Sequence, residues 1–144
     1  MSSTPVILDD RLLIEELLVG IRKARVELYT TTYWYYRGCR AAVLGAGGHL
    51  SGPFEELDTP EQEQAILSLS DLTEHIALPD PRPTVPAMVD VARRHPRLNL
   101  LNLEAVATER LLGATLCLSP ESGAGVLPES LDQEQVAWRI IAID

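Results

Sequence analysis

The first thirty residues constrain the fold more than any other feature of this chain. Val6-Ile7-Leu8 is a short apolar run with β propensity, cut off at once by Asp9-Asp10. Leu13, Leu17 and Ile21 then recur at i, i+4 and i+8, with Ile14 and Leu18 beside them, which is the spacing of an amphipathic helix. Val26 to Thr30 reads as a second strand. Strand, helix and strand in succession demand a layered α/β fold, and the rest of the chain repeats the alternation.

A second helix is expected over residues 32–44, ended by Gly45, Gly47 and Gly48, with a loop to Asp58. Thr59-Pro60-Glu61-Gln62 has a capping residue, a first-turn proline and a capping-box glutamine, so a helix should run from Thr59 to about Glu74. His75–Leu78 is a short strand and Pro79–Pro83 a rigid connection. A helix from about Val85 stops before Pro96. Another runs from Leu100 to Leu112 and is stopped by Gly113. Ala114–Ser119 is a strand, a Gly/Pro/Ser loop follows, and Val136–Ile143 is the last strand. The expectation is one domain over residues 1–144, with a mostly parallel sheet of about five strands between helical layers.

Composition narrows the function classes. The apolar fraction is 46%, enough for a substantial core, but the longest apolar runs fall far short of a membrane span. The start, MSSTPVILDD, lacks the basic and apolar regions of a secretory signal. Cys39 and Cys117 have no metal-site spacing and read as reduced thiols, so a cytoplasmic protein is expected. A net charge of −9 argues against broad, charge-driven binding of nucleic acid. The basic residues gather locally instead, as Arg22-Lys23-Arg25, Arg37-Arg40 and Arg93-Arg94-Arg97. His49, His75 and His95 share no metal-ligand spacing. The glycines of "GAGGH" follow a helix rather than a strand, so they are not a phosphate-binding fingerprint, and Ser119 and Ser122 have no evident histidine base.

In a parallel sheet, ligands sit at the carboxyl ends of the strands. The polar residues directly after strands are Asp9-Asp10 and Ser119-Pro120-Glu121. They have two readings. Asp9 and Asp10 suit the cap of the helix that follows, and glutamates are usually solvated. Alternatively, the acids cluster. "VILDDRLLI", with Asp9 ending the strand, and "LNLEAVATERLLGATLCLSPE", with Glu104-Ala105 opening a helix and Ser119-Pro120-Glu121 following a strand, together resemble the PIN-domain family of toxin-type, metal-dependent ribonucleases. Element order and length match over nearly the whole chain.

The resemblance implies a PIN-like α/β/α fold and an acidic site of Asp9, Glu104 and Glu121 holding Mg²⁺ or Mn²⁺. Such hard cations take oxygen ligands and activate water against a phosphodiester. It also implies an antitoxin-like protein partner, an RNA substrate and a homodimer. Three departures stand out. The family's acid on the second helix falls here near Tyr36-Arg37, and no carboxylate lies between Glu27 and Glu55. Arg11 replaces a small polar residue, where it could pair with Asp9 in the cation's place. Both later acids are Glu rather than Asp.

The vacated position lies in an aromatic run. Tyr29, Tyr33, Tyr35 and Tyr36, all the tyrosines of the chain, lie within eight residues that also include Trp34. On a helix Tyr33, Tyr36 and Arg40 share a face and Trp34 points elsewhere, so the run divides between core and surface. Its surface part, with Arg37 and Arg40, has the residue types of a contact site; Arg11, Tyr36, Arg37, Arg40 and Ser119 are the candidate substrate- or partner-binding residues. Two functions compete. One is a divergent ribonuclease with a weakened metal site. The other is a non-catalytic PIN-like module that binds protein or RNA.

Overall fold

A computed structural model describes residues 4–18, 26–43 and 59–141. Five strands form one sheet in the order β3-β2-β1-β4-β5, and every neighbouring pair is parallel. The strands are β1 (Thr4–Leu8), β2 (Val26–Thr30), β3 (Ile76–Ala77), β4 (Thr115–Leu118) and β5 (Trp138–Ile140). The helices are α1 (Asp10–Leu18), α2 (Thr32–Val43), α3 (Thr59–Ser70), α4 (Pro81–Arg94), α5 (Leu100–Leu112), α6 (Pro120–Gly123) and α7 (Leu127–Gln133).

The two-residue period of β1 builds two cores. Val6 and Leu8 pack on one face with Leu28, Cys117, Leu12, Leu13 and Ile14 of α1, and Leu69 of α3. Ile7 points the other way, into a cluster with Leu116 and Leu118, Val91 of α4, Val106 of α5, and Leu127 and Leu131 of α7. The expected α/β/α architecture with a five-stranded parallel sheet is the one observed. Because α2 follows β2 directly, it contributes to both cores: Trp34 to the second, Tyr35 and Cys39 to the edge of the first.

Local chemistry explains where elements fall as expected and where they do not. Helix α5 has the expected bounds because Asn99 Oδ1 accepts from Asn102 N at 2.9 Å and Gly113 closes it at φ 64°, a conformation that favours glycine. Helix α4 starts four residues earlier than Val85. Asp80 caps it by accepting from Arg82 N, and Pro81 takes the first turn, so the proline-rich connection is in fact a helix start. Helix α3 ends at Ser70 rather than Glu74, because the chain turns at Thr73, whose carbonyl accepts from Ile76 N and leads into β3.

The Gly/Pro/Ser loop contains α6 and α7. Pro120 and Pro128 sit in their first turns, and Leu127 and Leu131 are buried one turn apart. Strand β5 is shorter than expected, at Trp138–Ile140. The glycine stop at 45–48, His49 and the Arg22-Lys23-Arg25 cluster lie outside the described residues.

Candidate functional site

Three chain segments leave the carboxyl end of the sheet side by side. Leu8 of β1 is in register with both Thr30 of β2 and Cys117 of β4. Asp9, Thr31 and Ser119, the residues that follow, are each fully buried. Thr30 Oγ1 donates to the Leu8 carbonyl at 2.8 Å, which ties the ends of β1 and β2 together.

Asp9 does two jobs with its two oxygens. Oδ1 accepts from Leu12 N at 2.9 Å, which caps α1. Oδ2 accepts from Ser119 N at 2.7 Å and from Ser119 Oγ, across 110 residues of sequence. The capping expectation for Asp9 therefore holds, and the same side chain also ties the end of β4 to α1. Cys117, two residues before Ser119, is buried in β4, and burial raises its thiol above the ordinary range against the opposing pull of Arg139.

Glu104 comes from α5 on the far side of the sheet. Its Oε1 accepts from Tyr33 N at 2.8 Å and its Oε2 from Thr32 N at 3.0 Å. These are first-turn amides of α2, which no helical carbonyl can reach. A negative carboxylate there also meets the positive end of the helix dipole. Thr31 completes the cap, its Oγ1 accepting from Trp34 N at 3.1 Å. Glu104 is 4% exposed, so it is not a solvated surface acid.

Asp9 and Glu104 thus stand at the same end of the sheet, beyond the adjacent strands β1 and β2. Glu121 follows Ser119 by two residues on α6, which places its backbone at that end as well; its side chain lies outside the described residues. Among the described residues, no group of three or more His, Cys, Asp or Glu is arranged to hold a metal ion.

Asp10 is a site residue that sequence reasoning gave only a capping role. It is 2% exposed; Oδ1 accepts from Arg11 N at 3.0 Å, and Arg37 Nε of α2 lies 3.3 Å from Oδ2. Arg11, expected against Asp9, is partly buried, and both Asp9 oxygens accept from Leu12 and Ser119. The signal for Asp10 was its place directly after a strand opposite an arginine-bearing helix.

The aromatic run divides as helix geometry requires. Trp34 is fully buried. Tyr35 is partly buried and its hydroxyl donates to the Leu69 carbonyl at 2.6 Å; burial raises its pKa above the ordinary phenol value. Tyr36 is 61% exposed and Tyr33 37%, and Arg40 is exposed on the same face.

A second polar cluster lies on the α4–α5 side. Glu134, after α7, is hydrogen-bonded by Arg94, His95 and Arg110, and these bonds, that of Arg94 foremost, hold its carboxyl down at about 2. It ties the ends of α4, α5 and α7 together, so His95 is structural. Arg93 is exposed.

No family model matches the sequence, and no curated protein matches it. The fold does have a solved counterpart. The structure titled VapBC-1 from nontypeable Haemophilus influenzae superposes with a TM-score of 0.55 at 14% identity, over 95% of this chain and 98% of that one. The likeness is one of fold.

Proposed function

We propose that this chain is a single PIN-like domain that acts by binding a protein partner rather than by hydrolysing RNA. One observation carries the reading: all four carboxylate oxygens of Asp9 and Glu104 accept hydrogen bonds from protein groups, and Glu104 is spent entirely on the α2 N-terminus. A divalent cation of the Mg²⁺ class demands near-ideal octahedral geometry from its oxygen ligands. Carboxylates aimed at the α1 and α2 N-termini and at Ser119 are oriented for capping, and among the described residues no acidic cluster suited to a metal ion accompanies them, which supports the binding reading; the Glu121 side chain lies outside the described residues.

Among the described residues, α2 exposes a face of Tyr33, Tyr36 and Arg40. Tyrosine and arginine are the residues that anchor protein contacts. A second copy of the chain is the occupant we favour, in a cytoplasmic homodimer. The α2 face has arginines rather than acids, and salt screens the overall negative charge beyond about 8 Å. Among the described residues, no helix is long and apolar enough to cross a membrane.

The second reading is a metal-dependent ribonuclease using Asp9, Glu104 and Glu121, with Ser119 and Arg11 beside the scissile phosphate and an antitoxin-like partner. The fold likeness to a VapBC structure favours it. Two measurements separate the readings. Wild-type protein incubated with RNA and Mn²⁺ or Mg²⁺ should leave the RNA intact. Sedimentation should show a dimer that Tyr33→Ser/Tyr36→Ser converts to a folded monomer. Metal-dependent cleavage, abolished by Asp9→Asn, would refute the binding reading. A wild type that is monomeric at all concentrations would refute the homodimer.

A further inference from the structure

Three acids are buried at the carboxyl end of the sheet: Asp9, Asp10 and Glu104. A carboxylate removed from water must find donors or a cation. Backbone amides and Ser119 supply the donors for Asp9 and Glu104. Asp10 is treated differently, since its Oδ2 faces the Nε of Arg37 at 3.3 Å. The Asp10 side chain is 3% exposed and that of Arg37 36%, so the guanidinium is the more exposed member of the pair.

Position in the chain makes this contact more than a chance surface pair. Asp10 opens α1 immediately after Asp9. Arg37 is on α2, whose N-terminus is fixed by Glu104 and Thr31. α1 and α2 also approach closely: a Cβ on Gly38, the next residue, would lie 3.9 Å from both Leu13 and Ile14 of α1. The cation is therefore delivered by a rigid element onto an acid held by another.

We infer that the Arg37 guanidinium is the built-in counter-cation of this end of the sheet and excludes a hard divalent cation from Asp10. The inference rests on the non-hydrolytic reading only in taking the wild type to be free of metal. Guanidinium is always charged and weakly hydrated, so it can neutralise a buried acid without bringing water with it. A divalent ion of the Mg²⁺ class needs one or two carboxylates and keeps several waters. With Arg37 in place, this carboxylate already faces a cation at 3.3 Å. Reversing the charge at that position would put a second carboxylate beside Asp10 and open the place to a hydrated ion.

The test uses the full chain and Mn²⁺ alone as the probe. Wild type, Arg37→Gln, Arg37→Glu and Arg37→Glu/Asp10→Asn are titrated with Mn²⁺ by electron paramagnetic resonance, and their melting temperatures are compared in EDTA and in Mn²⁺. Arg37→Glu should bind Mn²⁺ at least about tenfold more tightly than wild type, since two carboxylates are a sufficient protein ligand set for such an ion. It should melt below wild type in EDTA and recover in Mn²⁺. Asp10→Asn on that background should remove the gain.

Folded Arg37→Glu protein with wild-type affinity for Mn²⁺ overturns the inference, and so does a gain that survives Asp10→Asn. If Arg37→Glu does not fold, Arg37→Gln decides. A lowered melting temperature in EDTA, raised by Mn²⁺ where the wild type's is not, supports the inference; one equal to the wild type's overturns it. Cleavage of RNA by the wild type would refute the functional reading instead, and is scored separately.

Discussion

Glu104→Ala, studied without metal, distinguishes a structural acid from a ligand acid by the sign of its effect. Both Glu104 oxygens receive backbone amides, from Thr32 at 3.0 Å and Tyr33 at 2.8 Å. A hydrogen bond to a charged group contributes about 1.5–3 kcal/mol. The full sum is not expected, because Thr32 is exposed and water can reach part of the freed α2 terminus. A loss of about 3 kcal/mol is the working value, a large share of the roughly 5–15 kcal/mol that holds a domain together. Glu104→Gln keeps one acceptor but turns an NH₂ toward an amide, so about 1–2 kcal/mol is expected. With a urea m-value of about 2 kcal/mol/M, the alanine variant should unfold about 1.5 M earlier at unchanged m. The assay is equilibrium urea unfolding in EDTA, followed by Trp34 and Trp138 fluorescence. An acid held mainly as a metal ligand would repel its neighbours when the ion is absent, and its removal would stabilise the protein. A Glu104→Ala midpoint at or above wild type in EDTA would refute the cap assignment.

Other groups give further expectations. Ser119→Ala removes the hydroxyl from Asp9 Oδ2 but leaves the Ser119 amide, so a loss of about 1 kcal/mol should appear in urea unfolding, with Ser119→Thr close to wild type. Glu109 is buried, and burial raises its pKa from 4.5 to about 7 against the pull of the Ala137 amide. Folded protein therefore holds a proton there that the unfolded chain releases above 4.5; this contribution to stability is present below that pH and is lost as pH rises through 7. The loss is at most about 3 kcal/mol, and Glu109→Gln should flatten that arm of a stability–pH profile. Glu134 has the opposite sign. Its carboxyl is lowered to about 2, so its contribution is present above 4.5 and lost as pH falls through 2. Gly123→Ala would place a Cβ 2.6 Å from Ile140 Cδ1 and 2.8 Å from its Cγ1, an overpacking costing about 1 kcal/mol that Ile140→Ala, which removes both atoms, should relieve.

The sequence made the sheet legible because each of its signals was local. β2 and α5 have the expected bounds, since a five-residue β run and an Asn99–Gly113 bracket depend on no distant residue. The start of α4 was equally local: Asp80-Pro81 is a cap followed by a first-turn proline, but the density of prolines read as a connection. α6 and α7 were less accessible, because each is too short to show a period and is held by burial of Leu127 and Leu131. At the site, the end of the sheet where Asp9 and Glu104 stand was legible, and so was the cap that Asp9 makes; the use made of Glu104 was not. The partners of Glu104 are amides more than seventy residues away in the chain, and amides leave no mark in a sequence. The vacated acid position on α2 was visible as an absence. That Arg37 would reach Asp10 depended on the crossing of α1 and α2.

The aromatic run and the role of Glu104 follow from one arrangement. α2 leaves β2 at the end of the sheet, between the two cores, and so must offer an apolar surface to each. Trp34 serves one core; Tyr35, with its hydroxyl on the Leu69 carbonyl, and Cys39 serve the other. Gly38 sits at this junction, where a Cβ would make an ordinary contact at 3.6 Å with Leu69 Cδ2. A helix so placed has its N-terminal amides turned toward a buried junction, where water cannot satisfy them all, and an unsatisfied buried amide costs about 1–3 kcal/mol. The acid that supplies the acceptors must come from the neighbouring helix and must be long enough to reach. Glu104 meets these conditions with both oxygens, whereas an aspartate at the same position has one methylene less with which to span the gap. The longer side chain, which reads as a departure from a metal-binding pattern, is what the α2 cap requires.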